Sequence, residues 1–171
     1  MKIAFFDLDG TIIYRRDLKY SYISGMARSE LVKELQDEEL LLMPYVRELL
    51  DLLKSKNIEC FVVSNSYEED VQLVLEHFDL SRYLTNLDTD FWEKGDRIRQ
   101  VLKEKQISPN EAIFIDNQLE HLSDAEAKNP GLKTVFIKSD IYLDRNWSGK
   151  NRFELEKTFF DLYNLFLEKR L

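Results

Sequence analysis

The chain has 171 residues, of which 44% are hydrophobic, and its 24 basic and 32 acidic side chains give a formal charge of −8. This length suits a single domain with a sizeable core, and the composition excludes a disordered chain or a disulfide scaffold. The acidic balance argues against a nucleic-acid partner, and the sequence has no long apolar run that would favour a membrane. We therefore expect a globular cytoplasmic protein in which the single cysteine, Cys60, is a buried thiol.

The first strand of the chain ends in a cluster of polar residues. An apolar run at residues 3–6 is followed at once by Asp7 and Asp9, and then by Gly10 and Thr11. Four apolar residues closed by a turn signal predict a buried strand. In an open α/β sheet, ligands bind beyond the carboxyl ends of the strands. We therefore expect both carboxylates at the ligand-binding edge of a sheet.

The first helices are predicted from their capping signals. Residues 12–43 have no regular pattern apart from a short helix that Ser29 would cap. Pro44 is expected in the first turn of the next helix, whose apolar residues form one stripe. Ser66 and Glu69 have the spacing of a capping box at the start of a further helix.

The rest of the chain alternates strand patterns with helix patterns. This alternation predicts an α/β fold with a Rossmann-like, mostly parallel sheet and helices on both faces, in one domain spanning residues 1–171. The predicted strands lie at 58–63, 84–87, 112–115 and 132–137, and a last helix carries Leu155, Phe159, Leu162 and Phe166 on one face.

Polar side chains follow three of the predicted strands. Asp7 and Asp9 follow the first strand, Ser64 and Asn65 follow the strand at 58–63, and Asp116 follows the strand at 112–115. Parallel strands bring their carboxyl ends to one edge of a sheet, so we expect these groups to lie together.

Four motifs occur in a fixed order: DLDGT at residue 7, FVVSN at residue 61, Lys94 before a predicted helix, and IFIDNQLE at residue 113. In this order and spacing the chain resembles the haloacid dehalogenase superfamily, most of whose members are magnesium-dependent phosphatases. The resemblance covers nearly the whole chain and favours the phosphatase branch with a minimal cap. DLDGT after an N-terminal strand is its most specific element.

The resemblance implies a role for each motif residue. Asp7 would attack phosphorus and become an aspartyl phosphate, and Asp9 would be the general acid and base. Ser64 would hydrogen-bond a phosphoryl oxygen with help from the following helix N-terminus, and Lys94 would supply positive charge. Mg²⁺ would be held by the Asp7 carboxylate, the Asp9 carbonyl and Asp116.

One part of the metal motif departs from the family pattern. The family often has a second carboxylate directly after the third motif's aspartate or four residues beyond it, and this chain has Asn117 and Glu120 at those places. Asn117 offers a carbonyl oxygen without charge, whereas Glu120 is acidic and one methylene longer. Both stay candidates for the outer metal shell, with Glu120 favoured.

Substrate contacts are expected near the first motif. Residues 12–43 are too few for a full helical cap, so we expect a small flap and an open site, which a second copy of the chain could cover in a homo-oligomer. The substrate would be a phosphorylated small metabolite, a nucleotide or a larger phosphoester. Candidate contact residues are Gly10, Thr11, Asn65, Arg15 and Arg16, with Tyr14, Lys19 and Tyr20 nearby.

Several alternative interpretations are open to different degrees. A calcium loop also begins Asp-x-Asp-Gly, but Arg15 and Leu18 stand where its further ligands would be. A dehalogenase would not need the acid at Asp9. A non-catalytic phosphate-binding protein or a phosphotransferase on the same fold is the main alternative to a phosphatase. His77 and His121 are expected to have structural roles.

Overall fold

The computed structural model describes residues 1–16, 23, 25–87, 94–137 and 156–168. Lys19, Tyr20 and Leu155, named above, lie outside these ranges. The strands are β1 (Ile3–Phe6), β2 (Ile13–Arg15), β3 (Leu40–Leu42), β4 (Glu59–Val63), β5 (Leu84–Leu87), β6 (Ala112–Asp116), β7 (Lys133–Ile137) and β8 (Glu156–Lys157). The helices are α1 (Arg28–Gln36), α2 (Val46–Ser55), α3 (Glu68–His77), α4 (Lys94–Glu104), α5 (Leu119–Lys128) and α6 (Phe159–Leu167), with a 3₁₀ turn at Pro109–Glu111.

Six strands form a parallel sheet in the order β5-β4-β1-β6-β7-β8. The central strand β1 pairs with β4 on one side and β6 on the other, and its Phe6 lies opposite Val62 and Ile115. This register places the residues after β1, β4 and β6 side by side at one edge. The predicted α/β fold with a mostly parallel sheet is confirmed.

Helices cover both faces of the sheet. Side chains of β1 alternate between the two faces, so the strand contributes to a core on each side. Ala4 and Phe6 face a core that includes residues of α1, α2, α3 and α6. Ile3 and Phe5 face a second core, shared with α4 and α5. Cys60 is buried in the first core, as expected. Among the described helices, none has the length and apolarity to cross a membrane.

Three predicted helix starts are wrong. Ser29 lies inside α1, whose cap is Ala27 without a side-chain bond. Pro44 precedes α2, whose cap is Tyr45 in the left-handed conformation with a φ of 66°. Ser66 does not cap α3, because that helix begins at Glu68 and its cap residue makes no side-chain bond. Such residues match a capping pattern in sequence, but their backbone position relative to the first turn decides whether they can cap.

A two-stranded antiparallel sheet lies within residues 12–43, which sequence analysis described as irregular. Strands β2 and β3 pair with Ile13 opposite Leu42. Each has three residues, too few to show the alternation by which strands are recognised. The edge strand β8 has two residues and was missed for the same reason. The helix α1 was predicted, and it follows β2 within residues 12–43, which we call the insertion.

Candidate active site

Asp7 lies at the carboxyl end of the central strand and is 4% exposed. Its backbone N–H donates to the carbonyl of Ile115 at 2.9 Å, which continues the β1–β6 pairing past the strand end. Lys94 Nζ donates to Oδ1 at 2.6 Å, and the hydroxyl of the buried Thr11 donates to Oδ2 at 3.0 Å. Both carboxylate oxygens are therefore held by donors.

Lys94 bridges two carboxylates from neighbouring strands. Its Nζ lies 2.6 Å from Asp7 and 2.8 Å from Asp116, and the three side chains are 6% exposed or less. Asp116 also accepts a bond from the backbone N–H of Gln118 at 2.8 Å. The strand ends and the lysine that the sequence predicted to converge therefore do so.

The group carries more negative than positive charge. Burial lowers the pKa of Lys94, but the attraction of Asp7 and Asp116 outweighs it, so that the pKa is raised overall and the ammonium is kept. For Asp7, burial raises the pKa more than Lys94 lowers it, and repulsion from Asp116 adds to the rise. Burial also opposes ionisation of Asp116, but Lys94 and His121 hold its pKa below the usual value. The ammonium of Lys94 thus helps to keep the pKa of Asp116 below its usual value, but it does not offset the effect of burial on the pKa of Asp7.

The helix that carries Lys94 is fixed to α5 by bonds at the next residue. The N–H of Gly95 donates to Asp124 Oδ2 at 3.3 Å, and its carbonyl accepts from Asn129 Nδ2 at 2.8 Å. A Cβ at Gly95 would lie 3.0 Å from the Cα of Ala125, so the close approach of the two helices requires glycine. These contacts position the lysine against the sheet edge.

Asp9 contacts two other parts of the chain. Its Oδ2 accepts a bond from the hydroxyl of Ser66 at 3.3 Å, and Ile23 of the insertion supplies a backbone hydrogen bond. Burial of the carboxyl group, with repulsion from Asp7, raises the pKa of Asp9 to about 7. A carboxyl group with this pKa can both donate and accept a proton near neutral pH.

Ser64 and Asn65 follow β4, next to Asp7 in the sheet. Ser64 is 3% exposed, and its hydroxyl oxygen accepts a bond from the N–H of Ser66 at 3.2 Å. Asn65 is partly buried. The start of α3 lies three residues beyond Asn65, at Glu68. The sequence placed both residues at this edge, and the structure does the same.

Asn117 and Glu120 occupy different environments. Gly10 has a φ of 75°, and a Cβ there would lie 2.1 Å from Asn117 Nδ2, so Asn117 packs directly on the DLDGT turn. Its Oδ1 is buried and has no hydrogen-bond partner within the described residues. Glu120 is exposed in the first turn of α5. The geometry favours Asn117 for a place beside the carboxylates.

The residues present fit a magnesium ion. Within the described ranges, no three His, Cys, Asp or Glu side chains are grouped to hold a metal. Mg²⁺, however, usually takes one or two carboxylates and keeps several waters. Asp7 and Asp116 are two carboxylates bound to one lysine, and Asn117 adds a buried oxygen that has no donor within the described residues. An added cation would balance the excess negative charge.

Arg15 and Arg16, predicted to contact substrate, have partners inside the insertion. Arg15 pairs with Glu34 of α1 at 2.6 Å, and both side chains are largely buried. Arg16 Nε donates to the carbonyl of Glu38 at 3.0 Å, and its guanidinium lies 3.6 Å from that residue's carboxylate. These contacts join β2 to the end of α1.

His121 contacts the site although sequence analysis gave it no such role. Its Nδ1 lies 3.0 Å from Asp116 Oδ2. The spacing of five residues from a strand end into the first turn of the next helix could have indicated this contact. His77 lies at the end of α3, where the sequence placed it, and packs edge-on against the ring of Phe78.

The fold and the site together define a class: an α/β protein with a buried aspartate and lysine at the carboxyl edge of its sheet. The profile described as "Haloacid dehalogenase-like hydrolase" matches residues 26–137, which is more than half of the chain. The chain therefore belongs to the haloacid dehalogenase-like hydrolase family. Comparison with curated protein sequences finds no match.

Several solved structures have the same fold. A haloacid dehalogenase superfamily hydrolase from Ehrlichia chaffeensis is 21% identical, with a TM-score of 0.66 and 100% of each chain covered. A phosphatase of this superfamily from Thermococcus onnurineus is 17% identical, with a TM-score of 0.70 and coverage of 96% of this chain and 97% of the other. A protein from Clostridium acetobutylicum described as a predicted phosphatase is 19% identical, with a TM-score of 0.66 and 98% of each chain covered. At these identities the likeness is one of fold.

Proposed function

We propose that the protein is a Mg²⁺-dependent phosphomonoester hydrolase that works through an aspartyl phosphate on Asp7. The observation that carries this proposal is the Asp7 carboxylate, buried at the end of the central strand and bonded to Lys94 at 2.6 Å. A second carboxyl group, Asp9, follows two residues later with a pKa of about 7. A nucleophile and an acid of matched pKa are what ester cleavage at phosphorus needs.

The first step transfers the phosphoryl group to the protein. An Asp7 oxygen attacks phosphorus, the bond from phosphorus to the ester oxygen breaks, and Asp9 gives its proton to that oxygen so that an alcohol leaves. In the second step Asp9 takes a proton from water while the water oxygen attacks the same phosphorus. The acyl phosphate bond breaks, the Asp7 carboxylate is regenerated, and inorganic phosphate is released.

Attack by one anion on another requires positive charge at the site. Lys94 supplies one charge and Ser64 a hydroxyl donor beside it, and the N-terminus of α3 begins a few residues on. Mg²⁺, when bound by Asp7, the Asp9 carbonyl and Asp116 with Asn117 beside them, would neutralise charge on the phosphoryl oxygens. Thr11 holds Asp7 in place through its 3.0 Å bond.

The proposal extends to substrate and location. Phosphatases named among the structural neighbours favour a phosphorylated substrate, which we take to be a small metabolite, a nucleotide or a larger phosphoester in the cytoplasm. The chain would form one domain in which residues 12–43 make a small flap over the active site. The backbone hydrogen bond of Ile23, within this insertion, to Asp9 supports the flap. A homo-oligomer in which a neighbouring copy narrows the site is part of the same proposal.

The test is turnover of an aryl phosphate with and without Mg²⁺. We expect activity that requires Mg²⁺, is abolished in Asp7→Asn and is strongly reduced in Asp9→Asn. Asp37→Asn, which removes an exposed carboxylate at the end of α1, is the matched control and should match the wild type. Full activity in Asp7→Asn would contradict the mechanism. Binding of beryllofluoride without turnover on a wide panel of phosphate esters would instead favour the non-catalytic alternative.

A further inference from the structure

We propose that Ser66 is a positioning residue that orients the Asp9 carboxyl group for proton transfer to the leaving oxygen. This inference rests on the proposed function of the site. Ser66 belongs to none of the motifs by which the chain resembles its family, and its sequence spacing predicts a helix cap.

The hydroxyl of Ser66 is directed at the active site. Its Oγ donates to Asp9 Oδ2 at 3.3 Å, and the residue is 7% exposed. Its own N–H donates to the Ser64 hydroxyl oxygen at 3.2 Å, which ties Ser66 to the end of β4. The bond to Asp9 therefore connects the turn after β1 with the turn after β4.

The hydroxyl is not used for helix capping. A serine caps a helix by accepting a backbone N–H bond at its hydroxyl oxygen. The helix α3 starts at Glu68 with Tyr67 as its cap residue, and that cap makes no side-chain bond. A capping bond contributes roughly 1 kcal/mol to helix stability. The helix α3 lacks this contribution, and the Ser66 hydroxyl donates to Asp9 instead.

A hydroxyl donor suits a group that must change protonation state. Ser66 can donate to Oδ2 whether Asp9 is ionised or carries its proton on Oδ1. Oδ2 stays fixed through both chemical steps, and Oδ1 is left to move the proton. The backbone bond from Ile23 is a second restraint on the same carboxyl group. Ser66 is the restraint that a side-chain substitution can remove.

The proposal predicts a dependence on the leaving group. An alkyl phosphate needs a proton on its leaving oxygen, whereas a dinitrophenyl phosphate releases a stable anion without one. General acid catalysis typically contributes about 10²- to 10⁴-fold, and misplacing the acid forfeits part of it. We expect Ser66→Ala to lower kcat/KM, which reports formation of the aspartyl phosphate, by about 10- to 100-fold for an alkyl phosphate and by less than about 3-fold for dinitrophenyl phosphate. Because Asp9 also takes the proton from water in the second step, kcat should fall for both esters wherever that shared step limits turnover.

The experiment measures kcat/KM and kcat for both esters with Mg²⁺ in Ser66→Ala and four further variants besides the wild type. Ser66→Thr keeps the hydroxyl and should restore activity on the alkyl ester; Ser66→Cys keeps the size but donates weakly and should resemble Ser66→Ala. Asp9→Asn gives the leaving-group dependence of a missing acid. Ser55→Ala is the matched control, because the exposed Ser55 hydroxyl only donates to the Leu52 carbonyl at the end of α2.

The outcomes separate the two claims. A selective loss on the alkyl ester in Ser66→Ala and Ser66→Cys, with rescue by Ser66→Thr, supports the proposal. An equal loss of kcat/KM on both esters, or no loss, in whichever of the two variants folds overturns it while leaving the phosphatase intact. If the wild type turns over neither ester, or Asp7→Asn retains activity, the proposed function itself fails and the role of Ser66 falls with it.

Discussion

Two buried groups of charged side chains among the described residues differ in the ratio of cations to carboxylates. At the sheet edge, one lysine, Lys94, faces two carboxylates within 2.8 Å, and none of the three is more than 6% exposed. In the insertion, one arginine, Arg15, faces one carboxylate, Glu34, at 2.6 Å. Among the described residues, the second group pairs one cation with one carboxylate, whereas the first has two carboxylates for one cation.

This difference separates a functional site from a structural one. Burial of charge is costly unless each ion is paired, so an unbalanced group reduces stability and persists where a ligand supplies the missing charge. The pair of Arg15 and Glu34 joins β2 to α1, which is a structural role. The following predictions test this contrast from the largest expected effect to the smallest.

Lys94→Met should have the largest effect. It leaves Asp7 and Asp116 buried together without a cation, and removing one partner from a buried ion pair costs about 3–5 kcal/mol. We expect a loss of that size in the free energy of urea unfolding without metal, and activity reduced by at least about 10³-fold. Lys105→Met is the control, because its partner Glu59 is 54% exposed. Comparable effects of the two substitutions would contradict the assignment.

Glu34→Gln should reduce stability but leave catalysis intact. It removes the partner of Arg15 in a largely buried pair, so we expect the free energy of unfolding to fall by about 2 kcal/mol. Glu38→Gln, whose carboxylate is 80% exposed beside Arg16, should change it by less than about 0.5 kcal/mol. A raised KM for small aryl phosphates in Glu34→Gln, with unchanged stability, would instead show that Arg15 serves substrate binding.

The pKa of Asp9 predicts how stability depends on pH without metal. The folded pKa of about 7 lies above the ordinary value of 3.8, so folding favours the protonated form. Its contribution is complete below pH 3.8 and is lost as pH rises through about 7. Each pKa unit corresponds to about 1.4 kcal/mol, and because Asp9 is partly exposed we expect a smaller change than the full shift implies, about 1–2 kcal/mol.

Asp9→Asn isolates this contribution, since its amide does not titrate. Relative to that variant, the wild type should lose stability between pH 5 and pH 8 in urea titrations with a chelator present. A stability difference that stays constant across this range would contradict the raised pKa.

Asn117→Asp should strengthen metal binding. Asn117 Oδ1 is buried without a partner among the described residues, and a carboxylate there would add charge beside Asp7 and Asp116. We expect calorimetry to give a Mg²⁺ dissociation constant lower by about tenfold. Glu120→Gln, which changes an exposed side chain, should leave it within about twofold. The reverse ranking would assign the outer metal position to Glu120.

The sequence predicted the parts of this fold that depend on periodic apolar patterns. Five of the six sheet strands and all of the helices follow such patterns, and the strand ends carrying Asp7, Ser64 and Asp116 followed from them. The short strands β2 and β3 did not, because three residues carry no recognisable period. Their pairing depends on contacts across the insertion.

Side-chain partners were the least predictable feature of the site. Ser66 matched a helix cap, but the helix starts two residues later and the hydroxyl bonds Asp9. The contact of Arg15 with substrate stays a prediction, and local spacing did not indicate that a buried glutamate from α1 lies 2.6 Å from this arginine. In both cases the outcome depends on which distant group the fold brings near, and local spacing contains no such information.

The most direct test of the central claim is to trap the phosphoryl group on the protein. The wild type would be mixed with a phosphate ester and Mg²⁺, quenched in acid during turnover, digested and mapped by mass spectrometry. We predict that the peptide containing Asp7 gains the mass of one phosphoryl group, and that Asp7→Asn treated in the same way gains none. Phosphate released during turnover with no phosphorylated Asp7 peptide, or phosphorylation at another residue, would contradict the account.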